Sequence, residues 1–255
     1  MNITNNTILI TGGGSGIGRG LAEAFQKAGN QVVIAGRRRE ALKEVTDANP
    51  GMKAVSLDID SPAAIREFAG RMAKEFPKLN VLINNAGIMK PENLLDQPEN
   101  LADAEAMVTT NLLGTMRLTA ALLPQLRKQG KSTVMTVSSG LAFLPLAMTP
   151  TYCATKAAIH SYTLSLRWQL KDTTTEVIEL IPPYVQTQLM GPHQAVDPRA
   201  MPLGDFVKET MQILKSQPGV TEVVVEKCKP LRFVAESGKF DVTFKGLNES
   251  MPAQH

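Results

Sequence analysis

Residues 7–18 read Thr7-Ile8-Leu9-Ile10-Thr11-Gly12-Gly13-Gly14-Ser15-Gly16-Ile17-Gly18. The first five are β-branched or aliphatic and make a short buried strand. The glycines then permit a tight turn, and an amphipathic segment over 17–28 follows until Gly29 stops it. The order is strand, glycine loop, helix. Backbone N–H groups at the start of such a helix present the positive end of its dipole, where a pyrophosphate is favoured. Gly12, Gly16 and Gly18 are spaced Gly-x-x-x-Gly-x-Gly, not G-x-G-x-x-G. A glycine cluster alone is a flexible turn. Between a first strand and a first helix, with a second strand to follow, it points to nucleotide binding.

The alternation continues outward from this unit. Residues 31–35 form a second strand, 38–48 a helix, 53–57 a third strand and Pro62–Glu75 a helix with proline in its first turn. Residues 81–83 are a short buried strand, Ser132–Val137 and 176–181 are β-branched strands, and 221–226 is a candidate last strand. Helical patterns cover 152–170 and 203–215. Strands alternating with helices imply an α/β fold: a single-domain, doubly wound, Rossmann-type parallel sheet with helices on both faces. Residues 1–255 therefore read as one domain. Weak periodicity and the breakers Gly191, Pro192 and Pro198 make a lid of about 187–205. A tail of about 229–255 has room for short helices at 231–236 and 240–247.

Composition excludes several classes. The formal net charge is +3 with no long basic run, so nucleic acid is not expected. The amino terminus has no basic region followed by a long apolar core, and a reducing cytoplasm is the expected location. Cys153 and Cys228 match no disulfide framework or zinc spacing, and His160, His193 and His255 no ligand spacing; no metal is expected. Residues 106–126 are apolar enough to raise a membrane span, since Arg117 is their one charge. Asn111, Gly114, Pro124 and several threonines argue instead for a helix buried on two sides. With the similarly apolar 152–170, it implies a homo-oligomer, dimer or tetramer, built by helix packing.

The end of the second strand selects the cofactor. A carboxylate about 20 residues past the glycines would hold a ribose 2′-hydroxyl, but Gly36-Arg37-Arg38-Arg39 stands there. Three arginines against the positive end of a helix dipole would welcome a 2′-phosphate. NADP(H) is therefore expected, with Arg37 as principal contact and Arg38 as second. Asp58 and Ile59 follow the third strand at the adenine position, where Asp58 accepts from the adenine amino group or caps the next helix. Further on, Tyr152 and Lys156 are four apart and share a helix face, so the ammonium would favour the phenolate and lower its pKa.

Thr11-Gly12-x-x-x-Gly16-x-Gly18, Asn84-Asn85-Ala86-Gly87, Asn111, Ser139 and Tyr152-x-x-x-Lys156 together resemble the short-chain dehydrogenase/reductase family, in its single-domain branch. Ser139 precedes Tyr152 by 13 residues, which fits. The run 154–160 and Ile181-Pro182-Pro183 are also similar to a bacterial oxidoreductase branch found beside lipoteichoic-acid D-alanylation genes, a name that gives no substrate. The resemblance implies Tyr152 as general acid, Lys156 lowering its pKa and holding the nicotinamide ribose, and Ser139 holding the substrate oxygen. It implies that Asn111 supports a water linking Lys156 to solvent. Gly12, Ser15, Gly16, Ile17 and Gly18 would face the pyrophosphate, Asn85 the adenosine ribose, and Pro182, Val185 and Thr187 the nicotinamide. Ser138 competes with Ser139, and Pro183 replaces the glycine usual after this strand. The usual Val-Asp-Gly-Gly ending is missing too.

The implied function is NADPH-dependent reduction of a small ketone or aldehyde, or alcohol oxidation in reverse. Leu141, Phe143, Met148, Tyr184, Leu189 and Met190 are the expected pocket residues and favour an apolar substrate. One alternative is a 3-oxoacyl-thioester reductase whose Arg127, Lys128 and Lys131 attract an acidic carrier. Another, from a different class, is a non-catalytic NADP(H)-binding regulator.

Overall fold

A computed structural model describes residues 1–95 and 100–250. Seven parallel strands form one sheet: β1 (Thr7–Thr11), β2 (Gln31–Gly36), β3 (Lys53–Ser56), β4 (Leu79–Asn84), β5 (Ser132–Val137), β6 (Thr175–Ile181) and β7 (Glu222–Val224). Their order is β3-β2-β1-β4-β5-β6-β7. The winding direction reverses between β1 and β4, and ligands of such sheets sit at the carboxyl ends of the strands flanking that reversal. All five residues of β1 are buried, as expected of a parallel strand covered on both faces.

The helices are α1 (Gly16–Lys27), α2 (Arg39–Ala48), α3 (Pro62–Glu75), α4 (Ala102–Met107), α5 (Thr115–Leu126), α6 (Pro150–Gln169), α7 (Leu203–Ser216), α8 (Lys229–Arg232) and α9 (Phe240–Ser250). On one face Leu21 and Phe25 of α1 join Phe206 and Leu214 of α7 over the sheet. On the other, Phe68 of α3, Leu122 of α5 and Leu166 of α6 do the same. The single doubly wound α/β unit read from the sequence is the fold that forms.

Three stretches differ from expectation. The apolar run 106–126 is not one α-helix, since Val108–Gly114 is π-helical between α4 and α5. Among the described residues no helix is long and apolar enough to cross a membrane. The segment after Thr187 is pinned rather than loose: Val185 bridges Met201, and Gln194 donates to the Val185 carbonyl at 2.8 Å while accepting from Met190 N at 2.9 Å. In the tail, α9 reaches Ser250 and docks through Asn248, whose Oδ1 accepts from Ala147 N at 2.6 Å. Residues 251–255, including His255, lie outside the described residues.

Candidate active site

The carboxyl ends of the strands open into a cavity of about 660 Å³. At one end stands the glycine loop. Gly12 and Gly16 have φ of +67° and +52°, where a side chain would strain the backbone. Gly18 serves differently: a Cβ there would lie 2.4 Å from the Gly12 carbonyl oxygen. It lets α1 pack on the loop and does not line the cavity, whereas Gly12, Ser15, Gly16 and Ile17 do. A Cβ on Gly16 would stand 3.4 Å from Thr187, so loop and lid approach closely across the cavity. Such a narrow, glycine-rich cradle of backbone suits a pyrophosphate.

Beside the loop, Arg38 Nη2 donates to Ser15 Oγ at 2.7 Å. Arg37 Nη1 lies 2.9 Å from Asp60 Oδ2. Both arginines line the cavity, and among the described residues no carboxylate does. Asp58 does not cap the next helix: its Oδ1 accepts from Asp60 N at 3.2 Å in an Asx turn, while Ser61 caps α3. Asp60, which the sequence did not single out, is the connecting group: its second oxygen accepts from Thr110 Oγ1 at 2.7 Å.

At the other end Tyr152 and Lys156 share one face of α6, as their spacing requires. Lys156 Nζ lies 5.6 Å from the Tyr152 ring centroid and donates to the Val137 carbonyl at 2.8 Å. The Ser139 hydroxyl stands beside the Tyr152 phenol and works to lower its pKa, while accepting from Leu141 N at 3.1 Å. Ser138 Oγ is buried with no hydrogen-bond partner among the described residues. Both serines line the cavity, and Ser139 is the one that reaches the phenol.

Burial dominates the electrostatics. It pushes the Tyr152 phenol above its ordinary value, a rise that Ser139 only moderates. It also pushes Lys156 down from 10.5 to about 8, opposed by the charge of Glu179. Desolvation is thus the first influence on both groups, raising the phenol and lowering the ammonium.

Asn111 lies in the π-helical turn and does not line the cavity. It clasps the backbone after the Asn84–Gly87 turn, donating to the Ile88 carbonyl at 2.9 Å and accepting from Ile88 N at 2.8 Å. Its Nδ2 also reaches Thr155 Oγ1 at 3.2 Å. A Cβ on Gly87 would stand 3.2 Å from Asn111 Oδ1 and 3.8 Å from Lys156 Nζ, which places the amide behind the lysine. Asn85 donates to the Thr11 carbonyl at 2.9 Å and ties β4 to the glycine loop.

Ile59, Asn85, Pro182, Pro183, Val185 and Thr187 line the cavity, as do Leu141, Met148, Tyr184, Leu189 and Met190. Phe143 does not, which corrects the sequence reading. The 3₁₀ turn Gly140–Ala142 carries its ring to the His160 ring, centroids 4.7 Å apart, with the Arg232 guanidinium 4.5 Å from its own centroid. Leu231 and Leu247 close the pocket from the tail; no local sequence signal marks them, since chain folding alone brings them there. Arg127, Lys128 and Lys131 lie between α5 and the start of β5, at the amino ends of the strands and opposite the cavity.

Comparison with known proteins agrees with this geometry. The short chain dehydrogenase family model matches residues 6–197. The uncharacterized oxidoreductase DltE of Bacillus subtilis (strain 168) is 38% identical over 251 residues, covering 97% of this chain and 98% of that protein. A short chain dehydrogenase from Burkholderia cenocepacia J2315, solved in complex with NADP, superposes with a TM-score of 0.80 at 24% identity over 97% of this chain and 99% of that one. The 3-ketoacyl-(acyl-carrier-protein) reductase of Brucella melitensis, complexed with NADH, gives 0.77 at 25% identity, covering 89% and 100%. The chain is an oxidoreductase of the short-chain dehydrogenase/reductase family.

Proposed function

We propose that the protein is an NADPH-dependent carbonyl reductase, working in reverse as an alcohol dehydrogenase. The observation that carries this reading is the buried Tyr152 phenol beside Ser139 in a cavity whose other end holds the glycine loop, Arg37 and Arg38. Gly12, Ser15, Gly16 and Ile17 would hold the pyrophosphate through the loop backbone, and Arg37 and Arg38 the 2′-phosphate. Ile59 and Asn85 would flank the adenosine, Pro182, Val185 and Thr187 the nicotinamide, and Lys156 its ribose. When bound, the cofactor supplies the hydride.

The chain's own groups manage the oxygen and the proton. Ser139 holds the carbonyl oxygen beside the phenol and stabilises charge developing there. Tyr152, its pKa raised by burial, keeps its proton at neutral pH until a more basic alkoxide-like oxygen develops, then passes it on. The Lys156 ammonium stands near the phenolate left behind. Leu141, Met148, Leu189 and Met190 give the substrate end an apolar wall, which favours an alkyl or aryl ketone. A carrier-linked thioester gains no support, because the cations that would attract its carrier face the other edge of the sheet.

Initial rates over a panel of ketones and aldehydes test the proposal, with NADPH and NADH side by side. Turnover with an NADPH preference of at least about tenfold is expected, the value of one paired phosphate contact. An NADH preference would defeat the arginine argument, and no turnover on any carbonyl would defeat the activity.

A further inference from the structure

A second set of charged groups lies next to Lys156 and outside the cavity. Glu179 of β6 is fully buried. In register it pairs with Thr136 of β5, one residue before Val137, whose carbonyl holds Lys156 Nζ. Its Oε2 meets His160 Nδ1 at 2.8 Å, and His160 stands one helical turn beyond Lys156 on α6. Its Oε1 has no hydrogen-bond partner among the described residues. A carboxylate removed from water and incompletely hydrogen-bonded is costly, and its neighbours Ile178 and Leu180 show what the sheet otherwise places there.

The neighbouring strand sets a second carboxylate beside it. Across the β6–β7 pairing Glu179 faces Glu222, and the ligand atoms of His160, Glu179 and Glu222 lie within 4.8 Å of one another. That cluster has the composition of a cation site, yet its cation is already present in the chain. Arg232 of α8 binds both oxygens of Glu222, at 2.7 and 3.1 Å, and reaches Glu236 at 3.1 Å. Cys228, on the same side, is a thiol pushed up to about 12 by burial and adds no charge. Arg232 thus answers Glu222 and Glu236, and His160 holds one oxygen of Glu179. Lys156, one helical turn before His160 on α6, is the buried ammonium on which the Glu179 charge acts. Tyr152 is the titratable group on the cavity side of that lysine.

We propose that Glu179, oriented by His160, is a positioning residue whose buried charge keeps Lys156 an ammonium at neutral pH. The proposal rests on the role given to Lys156 in the reduction above. Burial works to discharge the lysine, and Glu179 is the charge that opposes it. Without Glu179, Lys156 would lose its proton inside the neutral range, and its hold on the ribose and its support of the phenolate would go with it.

Glu179→Gln keeps the shape and removes the charge. Two quantities should be followed from pH 6 to 9.5 in wild type and variant: the NADPH Kd by fluorescence, and kcat/KM for a ketone reduced by the wild type. In both, the alkaline limb is expected to move to lower pH by about one unit or more, as loss of an adjacent opposite charge requires. At pH 8 that is about a tenfold deficit, largely recovered at pH 6. An unshifted limb in a folded variant overturns the proposal, and so does a loss equal at every pH, which would mark a merely structural role. Should Glu179→Gln fail to fold, His160→Gln frees the carboxylate to reorient; a smaller shift in the same direction supports the proposal and no shift refutes it. If the wild type reduces no carbonyl, the activity reading fails while the pH dependence of Kd still decides this one.

Discussion

Replacing Lys156 with methionine is expected to abolish carbonyl reduction and at the same time make the protein more stable. Lys156 is 5% exposed, and burial holds its ammonium near 8 against an ordinary 10.5. At about 1.4 kcal/mol per unit, keeping it charged in the fold costs about 3 kcal/mol at pH 7. Methionine matches the stem, needs no charge, and loses the hydrogen bond to the Val137 carbonyl, worth about 1 kcal/mol. The net gain is about 2 kcal/mol, or a Tm rise of about 4–8 °C for a chain of this size. The sign of its pH dependence is fixed. The folded pKa lies below the unfolded one, so between about 8 and 10.5 the unfolded chain binds more protons and wild-type stability rises with pH. The advantage of methionine is full below pH 8, shrinks across that window and ends as a deficit above it. Paired thermal or denaturant melts at pH 7 and 9.5 measure it by difference, so other titrating groups cancel. A Lys156→Met protein less stable than wild type at pH 7 would refute the reasoning that burial sets this site's electrostatics.

Tyr152→Phe is expected to lower kcat at least about 10³-fold, within the range for removing a general acid, while NADPH Kd changes less than about threefold; fluorescence titration beside the rate assay separates the two, and normal turnover would remove the proton-donor role. Met116, Leu164 and Trp168, on α5 and α6, are exposed by 37%, 44% and 71%, so light scattering should find a homo-oligomer. Leu164→Glu should shift it toward monomer without lowering the Tm of the isolated fold, and a wild-type monomer at micromolar concentration would end that reading.

What the sequence disclosed was what neighbours along the chain decide. Pro62–Glu75 announces itself through Pro62 and its apolar spacing, and its limits match the helix residue for residue. Tyr152 and Lys156 were findable because four residues make a helical turn. Phe143 was misplaced because its proximity to Ser139 in sequence says nothing of the turn between them, which sends the ring to His160. Asp60 and Glu179 went unnoticed since each acquires its partners across the sheet, from Arg37 and Thr110 in one case and His160 in the other. Leu247 reaches the pocket from more than 90 residues beyond Tyr152. Hydrophobic pattern tells that such residues are apolar and leaves open which wall they form.

The π-helical turn Val108–Gly114 has a consequence for how this chain tolerates change in length. A π turn holds one residue more than an α turn, and each residue of an α-helix advances the direction of side chains by about 100°. Deleting any one residue from the turn would let it relax to ordinary α geometry, with better backbone hydrogen bonding. Because the wide turn already absorbs its extra residue, the same deletion would leave α4 and α5 nearly in their present orientation. It would, however, shift the residues of the turn by one position and take Asn111 off Ile88. The deletion yields a more regular helix and a broken site. Insertions and deletions that a surface loop would absorb are thus closed to this stretch, and its length is as much a part of the active site as Asn111 itself.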